Sequence, residues 1–412
     1  MSRIGQDLFL NRCTRFFNLR HLKILWVNPA PLDVFLHNTA LLNALNQLAE
    51  LGHDVNLVSV RSRRHFKAKK PQMHMLLVPL RFVPFISSIM FSAILFFYLP
   101  VYVAISKPDF IIMIPDISII SSIPAFLVSK FSKTRLILDV RSIPVETVGF
   151  RGTLHKFWFN LSFSVEKKFF DGVTILTSLM KKEVCTSFSV EPDKVGVWTS
   201  GVSYDLFNPE NFFEMKLELK KKLGLSDKFV IFYHGIFTPT RGLAETINGL
   251  QILISKYPDL IFFLLGSGPF ASDLSVLIQK QSLQKNVILA NPVIHSEVPK
   301  FIAMCDVAIV PLPDHPYWRF QSPLKLLEYM AMEKVVILTD IPAHREIIGK
   351  AKCGIFISSI DSMEIARAIE FAYLNNESLE YWGKIGRELV EQKYTWEKVV
   401  KDLEKYLYSL MN

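Results

Sequence analysis

The sequence predicts an α/β protein made of two domains, each built on a parallel sheet. Short apolar segments rich in Val, Ile, Leu and Phe alternate along the chain with longer segments of helical periodicity. These segments fall into two series, and the boundary between the series lies near residues 203–225. Uniformly apolar strands separated by helices are typical of buried parallel sheets with right-handed crossovers. A length of 412 residues fits two domains of ordinary size.

The first series begins with the strand "LKILWVN" (22–28), and the helix "LLNALNQLAELGHDV" follows it. Its later strands are "NLVSV", "DFIIMI", "TRLILDV" and "GVTILT". A charged helix, "EMKLELKKKLGL" (214–225), precedes the second series. The strands of the second series are "FVIFYHG", "LIFFLLGSG", "NVILAN", "VAIVPL", "VVILTD" and "CGIFIS". We expect each series to form one Rossmann-like domain.

The net charge of +9 indicates an anionic partner, such as nucleic acid, an anionic membrane surface or a phosphate-bearing small molecule. Nucleic acid is not expected, because no basic patch with interleaved aromatic residues lies on a recognisable module. The four cysteines are far apart and form no metal-binding or disulfide pattern, which favours a reducing cytoplasm. The start of the chain lacks the features of a secretory signal. Residues 1–21 are expected to form a basic amphipathic helix, which either packs on the domain or contacts a membrane surface.

Residues 84–105, "PFISSIMFSAILFFYLPVYVAI", contain no charge over 22 positions. This length is sufficient to span a bilayer. A spanning helix is disfavoured, because the strands before and after it are expected to share one sheet. A helix packed inside the first domain and a helix that dips into one leaflet both stay open. The basic run "RSRRHFKAKK" (61–70) just upstream suits anionic headgroups, although it is equally typical of a solvated loop.

The stretch "FQSPLKLLEYMAM" (320–332) predicts a helix with Ser322 as its N-cap and Pro323 at its first position. Lys325 then lies in the first turn, where the helix dipole disfavours a cation. A phosphate bound at the helix start would make this lysine favourable. Glu328 follows one turn after the helix start and can accept both hydroxyls of a ribose diol. A nucleoside diphosphate therefore fits, although Lys325 and Glu328 are also compatible with a solvated helix face.

Two loops at the ends of strands in the second series have the composition of ligand-binding turns. The loop "HGIFTPTRG" (234–242) contains Gly235, which permits close approach of a ligand, and Arg241, which opens the next helix. The loop "GSGP" (266–269) contains Gly266 and Gly268. Either loop alone is weak evidence, because such turns are frequent in α/β proteins. Together with the stretch at 320–332, the two loops predict a binding site for a phosphate-bearing ligand at the ends of these strands.

The order of these segments resembles the family 4 retaining glycosyltransferases, which have the GT-B fold. The resemblance runs from about Leu22 to the end of the chain. It is based on several segments that occur in family order: "LLNALNQLAELGHDVNLVSV", "VEKKFFDGVTILTSLMKKEV", "VWTSGVSYDLFNP", "HGIFTPTRGL", "LLGSGP", "HSEVPKFIAMCDVAIVPL", "SPLKLLEYMAM", "DIPAHREII" and "YTW". The motif "SPLKLLEYMAM" places the chain in a subgroup that also tends to lack the first glutamate of the family motif Glu-x7-Glu.

This resemblance implies two Rossmann-like domains that face a cleft. The implied divisions are an acceptor-binding domain at 1–205, a nucleotide-sugar-binding domain at 206–385 and a C-terminal helix at 386–412 that crosses back to the first domain. Glu328 matches the second glutamate of the family motif and is expected to bind ribose. Arg241 matches the family lysine that contacts the diphosphate.

Three departures from the family pattern affect the expected site. Phe320 stands where the first glutamate of the family motif would lie, which puts the identity of the donor sugar in doubt. Ile236 stands where many members have an arginine, and Lys325 can compensate for that lost cation. The glycine pair of the first loop is replaced by "NPAPLDVFLHN". Asp314 is close in sequence to Phe320 and is a candidate for the replacement carboxylate.

The implied activity is that of a retaining hexosyltransferase with a nucleoside diphosphate sugar as donor. The sequence contains no Asp-x-Asp motif, so we expect Lys325 and Arg241 to stabilise the leaving diphosphate without a metal or a cofactor. Candidates that approach the sugar or the acceptor from the first domain are Arg141, Asp139, Glu146 and His37.

The expected acceptor is a polyprenyl-linked glycan or a glycolipid at the inner face of the membrane, and a soluble acceptor stays open. Two alternative functions are a catalytically degenerate scaffold protein of the same fold and a nucleotide-sugar epimerase. A dehydrogenase is disfavoured, because no G-x-G-x-x-G follows the strand at 22–28.

Overall fold

The computed structural model of the protein describes residues 20–31, 37–61, 73–80, 86–144 and 149–411. The chain divides into two compact units. The first contains Met1–Asp139 and Trp158–Gly172, and the second contains Val140–Phe157 and Val173–Asn412. The functional divisions expected from the sequence, at 205/206 and 385/386, stay predictions.

The first unit contains a parallel sheet with the strand order β3-β2-β1-β4-β5. The strands are β1 (Lys23–Asn28), β2 (Asp54–Val60), β3 (His74–Val78), β4 (Phe110–Met113) and β5 (Arg135–Val140). The central strands β1 and β4 are almost entirely buried, which explains their unbroken apolar sequences. Strand β3 was not predicted from the sequence; it is short, lies at the end of the strand order and is only partly buried.

The first unit also contains helices α1 (His37–Glu50), α2 (Ile86–Ser106) and α3 (Ser122–Ser132). Helix α4 (Gly149–Phe169) has its second half, from Trp158, in this unit. Helix α2 confirms the helix expected at 84–105. By length and composition alone it could cross a membrane, with a mean hydropathy of 2.1. However, β2 and β4, which lie on either side of α2 in the sequence, both pair with β1. The two strands therefore share one sheet, as the argument against a spanning helix requires.

Only one side of α2 packs within the domain. Its buried residues recur at every fourth position: Ser87, Phe91, Leu95, Leu99 and Val103. This side contacts α3. The other sides of α2 are also apolar, yet they are largely exposed. In the most apolar segment of this helix, 22% is buried inside the protein. Helix α2 is thus neither a fully enclosed core helix nor an amphipathic surface helix.

The second unit contains a parallel sheet with the strand order β10-β9-β8-β11-β12-β13. Its strands are β8 (Phe229–Ile236), β9 (Leu260–Ser267), β10 (Val287–Ala290), β11 (Val307–Val310), β12 (Val336–Thr339) and β13 (Gly354–Ile357). Strands β6 (Gly172–Ile175) and β7 (Val195–Val197) pair in parallel and are the last two strands of a seven-stranded sheet of order β3-β2-β1-β4-β5-β6-β7. Because the order along the chain reverses between β8 and β11, the carboxyl ends of these strands border the crevice where such sheets bind ligands.

The described helices that follow β6 are α5 (Ser178–Phe188), α6 (Phe213–Lys222), α7 (Leu243–Leu253), α8 (Ala271–Lys280), α9 (Val298–Ala303), α10 (Pro316–Arg319), α11 (Leu324–Ala331), α12 (Pro342–Ile348), α13 (Ser362–Leu374), α14 (Asn376–Lys393) and α15 (Trp396–Ser409). Helix α11 is buried along most of its length and packs on β11, β12 and α14. Helix α15 packs on β7 through Tyr406, whose ring leaves no room for a side chain at Gly196.

Candidate functional site

The start of α11 differs from the sequence prediction by one residue. The helix begins at Leu324, and Pro323 occupies the N-cap position without a side-chain hydrogen bond. The prediction of Ser322 as N-cap is therefore wrong. The Ser322 hydroxyl accepts a hydrogen bond of 3.0 Å from Thr199, and its carbonyl accepts one of 3.0 Å from Ser200. Ser322 thus joins the segment after β7 to the start of α11.

Lys325, in the first turn of α11, has a buried ammonium group. Its Nζ lies 3.8 Å from the ring centroid of Tyr233. Within the described part of the chain, Nζ has no hydrogen-bond partner. Burial lowers the pKa of Lys325 well below its ordinary value, and the neighbouring charge of Arg241 lowers it further. A second cation beside a buried lysine is unfavourable unless an anion binds between them.

Arg241, at the loop between β8 and α7, is the second cation. Its guanidinium lies 4.4 Å from the ring centroid of Trp318 on α10. Its Nε is buried and has no hydrogen-bond partner among the residues that the structure describes. Unpaired buried donors are rare in folded proteins, so two of them in neighbouring cations indicate a binding site for an anion.

Glycines bring the ends of β8 and β9 close to this pair. Gly235 has a φ of +129°, and a Cβ atom at this position would lie 3.0 Å from Nζ of Lys325. A Cβ atom at Gly266 would lie 1.9 Å from the Gly235 carbonyl oxygen, which no side chain could tolerate. Gly268 lies similarly against the backbone of Phe237. The three glycines therefore allow close packing between backbones, and Gly235 lies beside Lys325; their predicted role in ligand binding stays a prediction.

Glu328 is buried, and both of its carboxylate oxygens are hydrogen-bonded. Its Oε2 lies 2.9 Å from Nε2 of His234, and its Oε1 lies 2.7 Å from Nε2 of His295. Burial alone would raise the pKa of Glu328, but the hydrogen bonds to both histidines hold it well below the ordinary value. The carboxylate is therefore ionised at neutral pH. The alternative that Lys325 and Glu328 are solvated surface residues is wrong, because their charged groups are both buried.

The sequence analysis did not identify His234, His295 or Tyr329 as parts of this network. His234 immediately precedes Gly235 in the loop already predicted to bind a ligand, so its position in "FYHG" was the available signal. His295 lies 33 residues before Glu328 in the sequence, and its contact exists only in the folded chain. Contacts of this kind cannot be derived from helical or strand periodicity.

Three other candidates have structural partners. Asp314 forms two hydrogen bonds with the Arg319 guanidinium, of 2.5 and 2.7 Å, and this ion pair is exposed. Arg141 donates a hydrogen bond of 2.8 Å to the carbonyl of Trp198 and lies 3.9 Å from the centroid of its ring. Asp139 is buried at the end of β5. The roles predicted for all three in the reaction stay predictions.

The remaining sequence candidates concern the first unit and the departures from the family pattern. Glu146 lies outside the described residues, and His37 is the first residue of α1. The Phe320 carbonyl accepts a hydrogen bond of 3.2 Å from the Thr177 hydroxyl, and Ile236 is 41% exposed. Neither position supplies a charge that could replace the glutamate or the arginine of the family pattern.

The chain is similar to known glycosyltransferases. Residues 215–389 match the family model "Glycosyl transferases group 1". The chain is 27% identical to the "Capsular polysaccharide biosynthesis glycosyltransferase CapM" of Staphylococcus aureus, over 70% of this chain and 73% of that protein. It is 23% identical to the "Putative glycosyltransferase YtcC" of Bacillus subtilis, over 61% of this chain and 64% of that protein. The chain thus spans less than two thirds of the length of YtcC.

Solved structures show the fold. A glycosyltransferase from Rickettsia africae superposes with a TM-score of 0.75 at 16% identity, covering 96% of this chain and 100% of that one. Anabaena Alr3699/HepE, solved in complex with UDP, superposes with a TM-score of 0.75 at 13% identity, covering 94% and 100%. The predicted fold class, α/β with two Rossmann-like domains of the GT-B type, is confirmed.

Proposed function

We propose that the protein is a retaining glycosyltransferase that moves a hexosyl group from a nucleoside diphosphate sugar to a hydroxyl acceptor. One observation carries the proposal: the buried Nζ of Lys325 and the buried Nε of Arg241 have no hydrogen-bond partners among the described residues, although they lie beside each other at the start of α11. A diphosphate would satisfy both cations and would also benefit from the positive end of the helix dipole. The match of residues 215–389 to "Glycosyl transferases group 1" supports the same activity.

The donor is proposed to lie along the carboxyl ends of β8 and β9. Its diphosphate binds Lys325 and Arg241, and its ribose hydroxyls bind the Glu328 carboxylate. Gly235 and Gly266 allow the backbones at the two strand ends to pack closely together beside Lys325. The similar Anabaena protein has been solved with UDP and with UDP-glucose, which supports a nucleoside diphosphate sugar as the class of donor.

In the proposed reaction, the bond between the anomeric carbon and the diphosphate oxygen breaks, and the acceptor hydroxyl oxygen bonds to that carbon from the same face of the sugar. The acceptor proton passes to the departing phosphate oxygen. Negative charge grows on the diphosphate during this step, and Lys325 and Arg241 stabilise that charge more strongly in the transition state than in the ground state. That the step proceeds without a metal stays a prediction.

The acceptor is proposed to be a lipid-linked glycan or a glycolipid, with the protein bound peripherally at the cytoplasmic face of the membrane. The supporting feature is the apolar outer face of α2. Its large side chains that are at least 39% exposed are Ile86, Ile89, Met90, Ile94, Phe96, Phe97, Val101 and Ile105. On the neighbouring helix α3, Phe131 is 90% exposed. A continuous apolar surface of this extent is typical of an interaction site, and the net charge of +9 suits anionic lipids.

The names of two relatives support an acceptor of this class. CapM is named for capsular polysaccharide biosynthesis. A mannosyltransferase of Mycolicibacterium smegmatis, 25% identical over 27% of this chain, is named for transfer to a phosphatidylinositol monomannoside.

The function is tested with purified protein, a panel of UDP- and GDP-hexoses, and vesicles that contain extracted bacterial lipids. We expect release of nucleoside diphosphate that depends on one donor and on the lipid fraction, together with a product that keeps the anomeric configuration of the donor. Inverted configuration would contradict the retaining mechanism. The absence of transfer with every donor, although one nucleotide binds, would favour a non-catalytic protein of the same fold.

A further inference from the structure

The Glu328 carboxylate is held by two histidines from different segments of the second unit. His234 is at the end of β8, and His295 lies in the short helical turn before α9. The His295 ring also packs against Phe207, with ring centroids 5.4 Å apart. Both hydrogen bonds to Glu328 are shorter than 3.0 Å and approach opposite oxygens of one carboxylate. The orientation of this carboxylate is therefore fixed from two sides.

The hydrogen bonds around His234 define its tautomer. The backbone N–H of His234 donates to the Tyr329 hydroxyl oxygen over 2.9 Å, and that hydroxyl also lies 2.9 Å from Nδ1 of His234. Because burial raises the pKa of Tyr329 well above its ordinary value, the hydroxyl keeps its proton and donates it to Nδ1. The ring proton of neutral His234 is then on Nε2 and points at Glu328.

Among the described residues, the two histidines supply the only hydrogen bonds to the Glu328 carboxylate. An ionised carboxylate has about four acceptor positions, and the two histidines occupy two of them. An arginine in the same place would take both oxygens in a bidentate pair and would compete with a ligand. Lys325, the other charged group near the carboxylate, has no hydrogen bond to it. The two histidines thus fix the orientation of the Glu328 carboxylate, and each takes one hydrogen bond, whereas an arginine would pair with both oxygens at once.

We propose that His234 and His295 are positioning residues that orient Glu328 so that its remaining acceptor positions receive the 2′ and 3′ hydroxyls of the donor ribose. This inference rests on the proposed function, because it assumes a ribonucleotide donor. Neither histidine touches the bond that breaks. The two histidines are therefore expected to change the preference for ribose over deoxyribose, which a residue that only stabilises the fold would leave unchanged.

The test compares the binding of ribonucleotides and 2′-deoxyribonucleotides. The probes are UDP with 2′-deoxy-UDP and GDP with 2′-deoxy-GDP, and the measured quantity is the ratio of the two dissociation constants by titration calorimetry. His295→Phe keeps the ring that packs on Phe207 and removes the donor, whereas His295→Gln keeps a nitrogen donor at similar reach. The His295 side chain is 39% exposed, so both variants are expected to fold.

In the wild type, we expect the ribonucleotide that binds to be preferred over its deoxy form by about tenfold or more, because a hydrogen bond to a charged group is lost in the deoxy form. The preference falls to less than about threefold in His295→Phe and returns in His295→Gln. His234→Gln, which keeps a donor but loses the bond from Tyr329, gives an intermediate preference. The matched control is Lys256→Ala, which removes an exposed ion pair of 2.8 Å with Glu370 and should leave the preference unchanged.

The outcomes separate this inference from the proposed function. An unchanged preference in His295→Phe and in His234→Gln would overturn the inference and leave nucleotide binding intact. A wild type that binds UDP or GDP without any preference for ribose would overturn it as well, because Glu328 would then not accept the ribose hydroxyls. A wild type that binds neither nucleotide would overturn the proposed function itself.

Discussion

The end of β8 and the outer face of α2 differ in the kind of group that each leaves without a partner among the described residues. Near the end of β8, the buried Nζ of Lys325 and the buried Nε of Arg241 have no hydrogen-bond partner among the described residues. Along α2, large apolar side chains are exposed, and Phe97 reaches 72%. The first situation is relieved by an anion and the second by an apolar partner. This difference matches the two contacts proposed above, a charged donor in the second unit and lipid at the surface of the first.

A second buried lysine shows why Lys325 is unusual. Nζ of Lys334 donates hydrogen bonds to the carbonyls of Ala303 and Cys305, at 3.1 and 2.7 Å. Burial lowers the pKa of both lysines, yet only Lys334 has acceptors in the protein. Lys334 is therefore explained by the fold alone, whereas Nζ of Lys325 has no acceptor among the described residues, and a bound anion would supply one.

The largest expected effect is that of Lys325→Met on transfer. We expect kcat/KM to fall by about 10² to 10³, comparable with the loss of one donor that stabilises a developing oxyanion. The Tm should not decrease, because the substitution removes a buried charge without a partner. Lys334→Met is the matched control, and it should lower the Tm while nucleotide affinity is retained. Equal kinetic effects of the two variants would show that Lys325 has no special role.

The next effect concerns the surface of α2. Replacing Phe97 and Val101, both more than half exposed, by Asp should weaken binding to anionic vesicles by about tenfold or more, because each large apolar side chain contributes about 1.5–3 kcal/mol when fully buried. Vesicle co-sedimentation measures the change. The control is Val276→Asp on α8, where the side chain is 64% exposed in the other unit. Unchanged vesicle binding in the α2 variant would contradict membrane contact through this helix.

A smaller effect links nucleotide binding to protons. Because burial and Arg241 depress the pKa of Lys325 in the free protein, a bound diphosphate should raise this pKa again. The complex then holds more protons than the free protein, so affinity for UDP or GDP decreases as the pH rises through the pKa of the free protein. Calorimetry at mildly alkaline pH in buffers with different ionisation enthalpies should show proton uptake on binding in the wild type and in Lys334→Met, which keeps Lys325. Proton release on binding would contradict this account.

The smallest expected effect is that of Asp314→Asn. Because its ion pair with Arg319 is exposed, we expect a loss of less than about 1 kcal/mol in the free energy of unfolding and little change in the KM for the donor. Chemical denaturation and steady-state kinetics measure the two quantities. An increase in KM of more than about tenfold, equivalent to 1.4 kcal/mol, would instead support Asp314 as the carboxylate that replaces the missing glutamate.

The features that depend on local residue spacing could be predicted from the sequence. The apolar strands, the long helix at 84–105 and the position of Lys325 in the first turn of α11 follow from periodicity and from helix-end chemistry. The N-cap prediction for Ser322 failed, because its hydroxyl is engaged by Thr199 from a segment far away in the sequence. His234 and His295 were missed for the same reason. Their contacts with Glu328 arise from the sheet order and the packing of α11, which composition and periodicity do not specify.

The central claim is that Lys325 and Arg241 form the anion-binding site for a nucleoside diphosphate. The most direct measurement is the thermal stabilisation of the wild type, Lys325→Met and Lys334→Met by UDP and by GDP. At a nucleotide concentration 100 times its dissociation constant, we expect the free energy of unfolding of the wild type to increase by about 2.7 kcal/mol. This stabilisation should be lost in Lys325→Met and retained in Lys334→Met. Equal stabilisation of all three proteins, or no stabilisation of the wild type by either nucleotide at millimolar concentration, would contradict the claim.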